Sequence, residues 1–262
     1  MFLTATSNAV ITLTLSHPPV NAISEAWVRA FEAKLDRLAA SCSVLHIRSD
    51  QKVFCAGADL KEMRGRMDMA DGPDRMYAYV AGIQRLYFRI EQLPQVTIAE
   101  IGGAAMGGGF ELALACDLRI AANEAKIGLP EARLGLIPGA GGTQRLTRLC
   151  GPALAKRLIL GAEVLDGAAA AALGVVHWSA PRAELPARAA ELAKRIADLP
   201  AAALAASKAC IAAACQPGRG GYTDELEFTR SLLTNPETQK RVTAFLAGAA
   251  EPSTPAKSGA AR

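Results

Sequence analysis

Only 5% of this 262-residue chain is aromatic, and it has no uninterrupted apolar stretch near the roughly 20 residues that a membrane-spanning helix needs. A long basic run is also missing. The formal net charge of +4 is spread along the chain, too mild a balance to argue for nucleic acid, although it suits an anionic small ligand. The six cysteines (Cys42, Cys55, Cys116, Cys150, Cys210 and Cys215) have no CxxC or paired-ligand spacing. They stand in apolar contexts and read as buried thiols of a reducing compartment, which makes the cytoplasm the expected location. His17, His46 and His177 are far apart and suggest no metal site. The start lacks a basic segment followed by an apolar run, as a secretory signal would have. A GxxxxGK[ST] phosphate loop and a GxSxG serine elbow are absent, and "GGGFEL" does not fit the dinucleotide-binding pattern.

What is present describes a sizeable core: 51% hydrophobic and 21% charged residues, enough for one large domain or a domain with a smaller appendage. Strand patterns occupy 9–15, 43–49, 96–101, 118–122 and 125–128, with another signal at 174–178. A helix capped by Ser24 is expected through about residue 39, and a short one leaves "FCAGADLKEM" (54–63), where Asp59 and Glu62 are spaced as an N-cap and its reciprocal partner. A polar loop over about 64–74 is followed by a helix to about Leu93, and another helix is expected over 109–115. The glycine-rich 137–151 leads into one more. Strands alternating with helices predict an α/β core over 1–180. Alanine-rich helix fills 181–250, and 251–262 has the composition of a disordered tail.

Two glycine turns stand at helix starts, Gly57–Ala58–Asp59 and Gly107–Gly108–Gly109. Each can present an unpaired backbone N–H, and two such donors aimed at one oxygen form an oxyanion hole. Two acids follow, Glu111 and Glu131. A carboxylate pair can divide general-acid and general-base work if both lie over one substrate. Taken alone, Glu111 is also what a helix start favours through its dipole, and Glu131 is also an ordinary surface acid.

The stretches "PPVNAIS", "FCAGADLKEM", "GGGFELALACD", "PEARLGLIPGAGGTQRL" and "VLDGAAAAALGVV" occur in the order found in the enoyl-CoA hydratase (crotonase) family, and the resemblance covers about residues 8–248. It implies a crotonase-like spiral of ββα units with a helical C-terminal trimerisation region, assembled as a homo-trimer or a dimer of trimers. The implied substrate is an acyl-CoA thioester, with coenzyme A part of the substrate and no separate cofactor. The resemblance assigns the hole to the N–H groups of Ala58 and Gly108, the water to Glu111 and the Cα proton to Glu131, which amounts to hydration of a trans-2-enoyl thioester. It implies a substrate-binding set of Ala56, Ala58, Asp59, Leu60, Lys61, Gly107, Gly108, Pro130 and Gly139. Met76, Tyr77 and Val80 are expected to form the acyl wall. A double-bond isomerase on the same site is the alternative enzyme.

The chain departs from the family pattern in two places. "IAEIGG" puts Glu100 inside a strand and Gly102 where an Asn or Asp usually stands, so Glu100 is expected to face solvent or a basic partner. "KRVTAFLAGAAEPS" lacks basic residues after Phe245, leaving Lys61, Arg64 and Arg66 as candidate phosphate contacts, the two arginines otherwise reading as surface charge. The resemblance extends to methylglutaconyl-CoA hydratases and their RNA-binding member, in which a lysine-rich early helix carries RNA. Here Arg29, Lys34 and Arg37 are matched by Glu25, Glu32 and Asp36 on that helix, so RNA is not an expected partner.

Overall fold

The computed structural model describes residues 1–38, 41–215 and 220–249, and the expected tail at 251–262 lies outside them. The strands are β1 (Phe2–Ser7), β2 (Val10–Leu15), β3 (Val44–Ser49), β4 (Val96–Ile101), β5 (Ala105–Met106), β6 (Leu118–Ala122), β7 (Lys126–Gly128), β8 (Val164–Asp166) and β9 (Trp178–Ala180). The helices are α1 (Glu25–Leu35), α2 (Leu60–Met67), α3 (Gly72–Glu91), α4 (Gly108–Leu114), α5 (Gly142–Leu160), α6 (Gly167–Ala172), α7 (Leu185–Ala197), α8 (Ala201–Ala214), α9 (Gly221–Leu233) and α10 (Pro236–Ala249). A short 3-10 turn covers Glu131–Leu134. The chain divides into two compact units, Met1–Ala205 and Ala206–Arg262.

In the first unit one sheet runs in the order β1-β2-β3-β4-β6-β9, and a smaller one in the order β5-β7-β8. β1 is antiparallel to β2, whereas β2, β3, β4, β6 and β9 are parallel neighbours. Parallel strands covered on both faces read as apolar runs, as β3 and β4 do. α7 packs on β2, β3, β4, β6 and β9 through buried Leu185, Ala189, Leu192, Ala193 and Ile196. The first compact unit therefore includes α7 and runs to Ala205.

Ser24 caps α1 as expected, its Oγ accepting from Trp27 N at 3.0 Å, but the helix ends at Leu35 rather than near 39. Asp59 caps α2, while Glu62 accepts from Arg66 and from Glu25 N instead of completing the reciprocal bond. The predicted loop over 64–74 is mostly helix: α2 runs to Met67 and α3 starts at Gly72. β1 carries no expectation from sequence, because most of it is exposed and alternation does not show. In "GVVHW" only Trp178 is strand. Val175 and Val176 are buried in the turn before β9. Of the cysteines, Cys42, Cys55 and Cys116 are buried, Cys150 and Cys210 half-buried, and Cys215 exposed.

One expectation is met in the sheet and another is overturned under α2. Glu100 faces a basic partner, and both are buried: the β3–β4 register pairs His46 with Ile98, so Glu100, two residues on, shares His46's face. Glu100 Oε2 lies 2.8 Å from His46 Nε2, which offsets the cost of an acid inside a sheet. Arg66 is buried rather than surface charge. It pairs with Glu25 at 2.8 Å and Glu62 at 3.1 Å and lies 4.3 Å above the Tyr79 ring. Arg64 remains exposed, paired with Asp68.

Candidate active site

The glycine turns meet because only glycine permits the approach. Gly107 takes φ 52°, and a methyl group on Gly109 would lie 2.1 Å from the Cys55 carbonyl oxygen. A methyl on Gly108 would sit 3.6 Å from Ala58 N, and one on Gly57 3.3 Å from Gly108 N. The Ala58 and Gly108 N–H groups therefore border one small space. Among the described residues neither donates to a protein acceptor. At the far end of α4, Arg119 is buried and donates to the carbonyls of Cys116 at 2.8 Å and Ala113 at 3.3 Å, a cation on the negative end of the helix dipole.

The two glutamates stand on separate elements and are close enough to interact electrostatically. Glu111, 2% exposed on α4, accepts a hydrogen bond at 2.7 Å from Gly142 N–H, the first residue of α5. Burial pushes its carboxyl up to about 7. The Gly142 amide and the charge of Arg145 oppose the rise, and Glu131's charge adds to it. Glu131 begins the 3-10 turn, and its Oε1 lies 3.0 Å from where a methyl on Gly107 would stand. Burial raises its pKa too, and its Oε2 has no hydrogen-bond partner among the described residues. Two acids with raised pKa values, which interact electrostatically, thus flank the glycine turn that carries the Gly108 N–H, a set of groups of the kind that binds a carbonyl oxygen and moves protons beside it.

The other residues singled out from sequence are less uniformly placed. Ala56, Leu60 and Lys61 are exposed next to Ala58, while the Asp59 carboxylate is engaged in capping α2. Pro130 directly precedes Glu131 and is half-buried. Gly139 is half-buried, its carbonyl accepting from Gln84 Nε2 at 2.6 Å, and a methyl on it would lie 3.0 Å from Val80 Cγ1. Val80 and Met76 are partly buried against the core, whereas Tyr77 is 78% exposed and points away from it. Gly142 carries no role in the sequence reading, yet its signal was available: it opens a helix, where N–H groups are free to meet a carboxylate. Arg145 was missed for lack of a signal. It forms a two-pronged pair with Glu91 at 2.9 and 2.7 Å and donates to the Ala140 carbonyl at 2.7 Å.

Residues 5–249 match the family model described as enoyl-CoA hydratase/isomerase. The chain belongs to the enoyl-CoA hydratase/isomerase family. Within that family it is 36% identical over 244 residues to a probable mitochondrial enoyl-CoA hydratase 2 of Arabidopsis thaliana, covering 92% of this chain and 79% of the relative. It is 48% identical over 160 residues to the mitochondrial methylglutaconyl-CoA hydratase of Mus musculus, covering 60% of this chain and 49% of that relative. The crystal structure of an enoyl-CoA hydratase from Bacillus anthracis superposes with a TM-score of 0.88 at 33% identity, covering 94% of this chain and 96% of the other. The mixed α/β architecture is thus that of the crotonase-fold enzymes.

Proposed function

We propose that this family member adds water syn across the double bond of a trans-2-enoyl-CoA thioester, giving the 3-hydroxyacyl-CoA. One observation supports the reading: two carboxyl groups with raised pKa values lie near a glycine turn beside two N–H donors that have no protein acceptor among the described residues. The thioester oxygen accepts from Ala58 and Gly108, which polarises the enoyl system and makes Cβ electrophilic. Ionised Glu111 takes a proton from water as the oxygen bonds to Cβ, and negative charge moves onto the thioester oxygen. Protonated Glu131 delivers its proton to Cα, and the charge returns. Proton transfer from Glu111 back to Glu131 restores the starting state. A base near pKa 7 suits this work at neutral pH.

The test follows crotonyl-CoA through the loss of its conjugated absorbance. Glu131→Gln is expected to lower kcat by about 10²–10⁴, the usual contribution of general acid–base catalysis, with KM little changed. A wild-type protein that leaves crotonyl-CoA intact but shifts 3-enoyl double bonds would refute hydration and establish the isomerase reading. kcat/KM on crotonyl-, decenoyl- and methylglutaconyl-CoA then defines the acyl group. Self-association as a trimer or dimer of trimers is part of the same proposal. Tyr222 and Leu226 on α9, and Phe245 and Leu246 on α10, expose apolar surface of the kind that marks interfaces.

A further inference from the structure

A run of glycines is a poor material for a rigid hole, because glycine explores more backbone conformations than any other residue. Something outside the run must fix it. On α3 two buried tyrosines eight residues apart, Tyr79 and Tyr87, reach its two halves. Tyr87 Oη donates to the Gly108 carbonyl at 2.7 Å. That carbonyl and the Gly108 N–H belong to adjoining planar peptide units joined at one Cα, so holding the first restricts the second. Tyr79 Oη donates to the Ile23 carbonyl at 2.5 Å. The same carbonyl accepts from Asp59 N, and Ile23 N donates to the Gly57 carbonyl, each at 2.9 Å. Ile23 therefore grips both neighbours of Ala58. Tyr79 is itself held by Arg66, whose guanidinium lies 4.3 Å from the ring centre and is paired with Glu25 and Glu62.

We propose that Tyr87 and Tyr79 are positioning residues of the oxyanion hole: from one helix, their hydroxyls set the aim and separation of the Gly108 and Ala58 N–H groups. The proposal rests on the enoyl-thioester reading above. Neither hydroxyl needs to touch substrate. Removing one leaves the fold's apolar packing in place and frees one half of the hole to drift.

Tyr87→Phe and Tyr79→Phe test it by steady-state kinetics and by the absorbance of a bound cinnamoyl-CoA thioester carrying a para-amino group, whose red shift reports polarisation of the carbonyl. Each variant is expected to lose about tenfold in kcat with KM within twofold, a fraction of the loss on deleting a whole donor. Each is also expected to show a smaller red shift than wild type. A kcat within twofold of wild type with an unchanged red shift overturns the proposal. So does a fall in melting temperature with the red shift intact, which a purely structural hydroxyl would give. If one variant does not fold, the other decides alone. Absence of any red shift in the wild type would instead overturn the thioester reading, so the two failures are distinguishable.

Discussion

Glu111→Gln separates the electrostatic cost of the site from its chemistry. Burial moves the Glu111 carboxyl from an ordinary 4.5 to about 7. The folded protein thus keeps a proton over a pH range in which the unfolded chain has released it. Stability from this group is fully present below pH 4.5 and is lost as pH rises through about 7. A gap of about 2.5 pH units at ~1.4 kcal/mol each makes the full loss about 3–4 kcal/mol, of which about 3 kcal/mol falls between pH 4.5 and pH 8. Glutamine keeps the shape, and its carbonyl can still accept from Gly142 N–H, but it never ionises. The stability of the variant relative to wild type is therefore expected to rise by about 3 kcal/mol between pH 4.5 and pH 8, a melting difference of roughly 6–12 °C for a chain of this size. Urea unfolding of both proteins at pH 5, 6, 7 and 8 measures it. The same variant is expected to be nearly inactive in hydration, so stability and activity move in opposite directions. Unfolding curves that stay parallel across this pH range would refute the assignment of Glu111 as a buried carboxyl that is forced to ionise.

Other perturbations probe the neighbouring parts. Gly108→Ala puts a methyl 3.0 Å from Ile23 Cδ1 and 3.6 Å from Ala58 N, in the space proposed for the thioester oxygen. kcat/KM is expected to fall by about 10²–10³, and wild-type kinetics would show that the hole lies elsewhere. Arg145→Gln removes a cation that favours ionised Glu111. The rising limb of the kcat/KM–pH profile is expected to move to higher pH, and a shift to lower pH would contradict the sign. Arg119→Met deletes buried hydrogen bonds to the Cys116, Ala113 and Val175 carbonyls. Chemical unfolding is expected to show a loss of about 2–4 kcal/mol, since charged donors to buried carbonyls are among the stronger bonds.

The α/β core was legible where periodicity and packing agree. β4 and β6 fall at the expected residues because they are mostly apolar strands between parallel neighbours, with Glu100 and Arg119 as buried exceptions, and the Ser24 cap is a local hydrogen bond that residue type alone specifies. Legibility failed where a long-range partner decided the outcome. Arg66 carries the charge of a surface residue, and only the approach of Glu25 and Tyr79, distant in sequence, buries it. For Glu100 a basic partner was expected, and only the identity of that partner, His46, is fixed by register rather than composition. The packing of α7 over the sheet is likewise long-range, and an alanine-rich helical pattern does not announce it.

The position of Glu111 shows how a local rule can be right in kind and wrong in place. An acid in the first turn of a helix that opens on glycines reads as a complement to that helix's own dipole. The structure instead leaves the α4 N–H of Gly108 without a protein acceptor and brings the carboxylate to Gly142 N–H, at the start of α5. In the proposed hydration two helix N-termini divide two jobs: one is left open to an oxygen of the substrate, and the other steadies the base beside it. If the N–H contact were the stronger influence, Glu111 would stay fully ionised and be a weak base. Burial outweighs it and carries the pKa to about 7. The Gly142 contact then limits how far burial can go. A carboxyl of that pKa exchanges protons readily near neutral pH: burial raises it, and the helix that faces it, not the helix that carries it, restrains the rise.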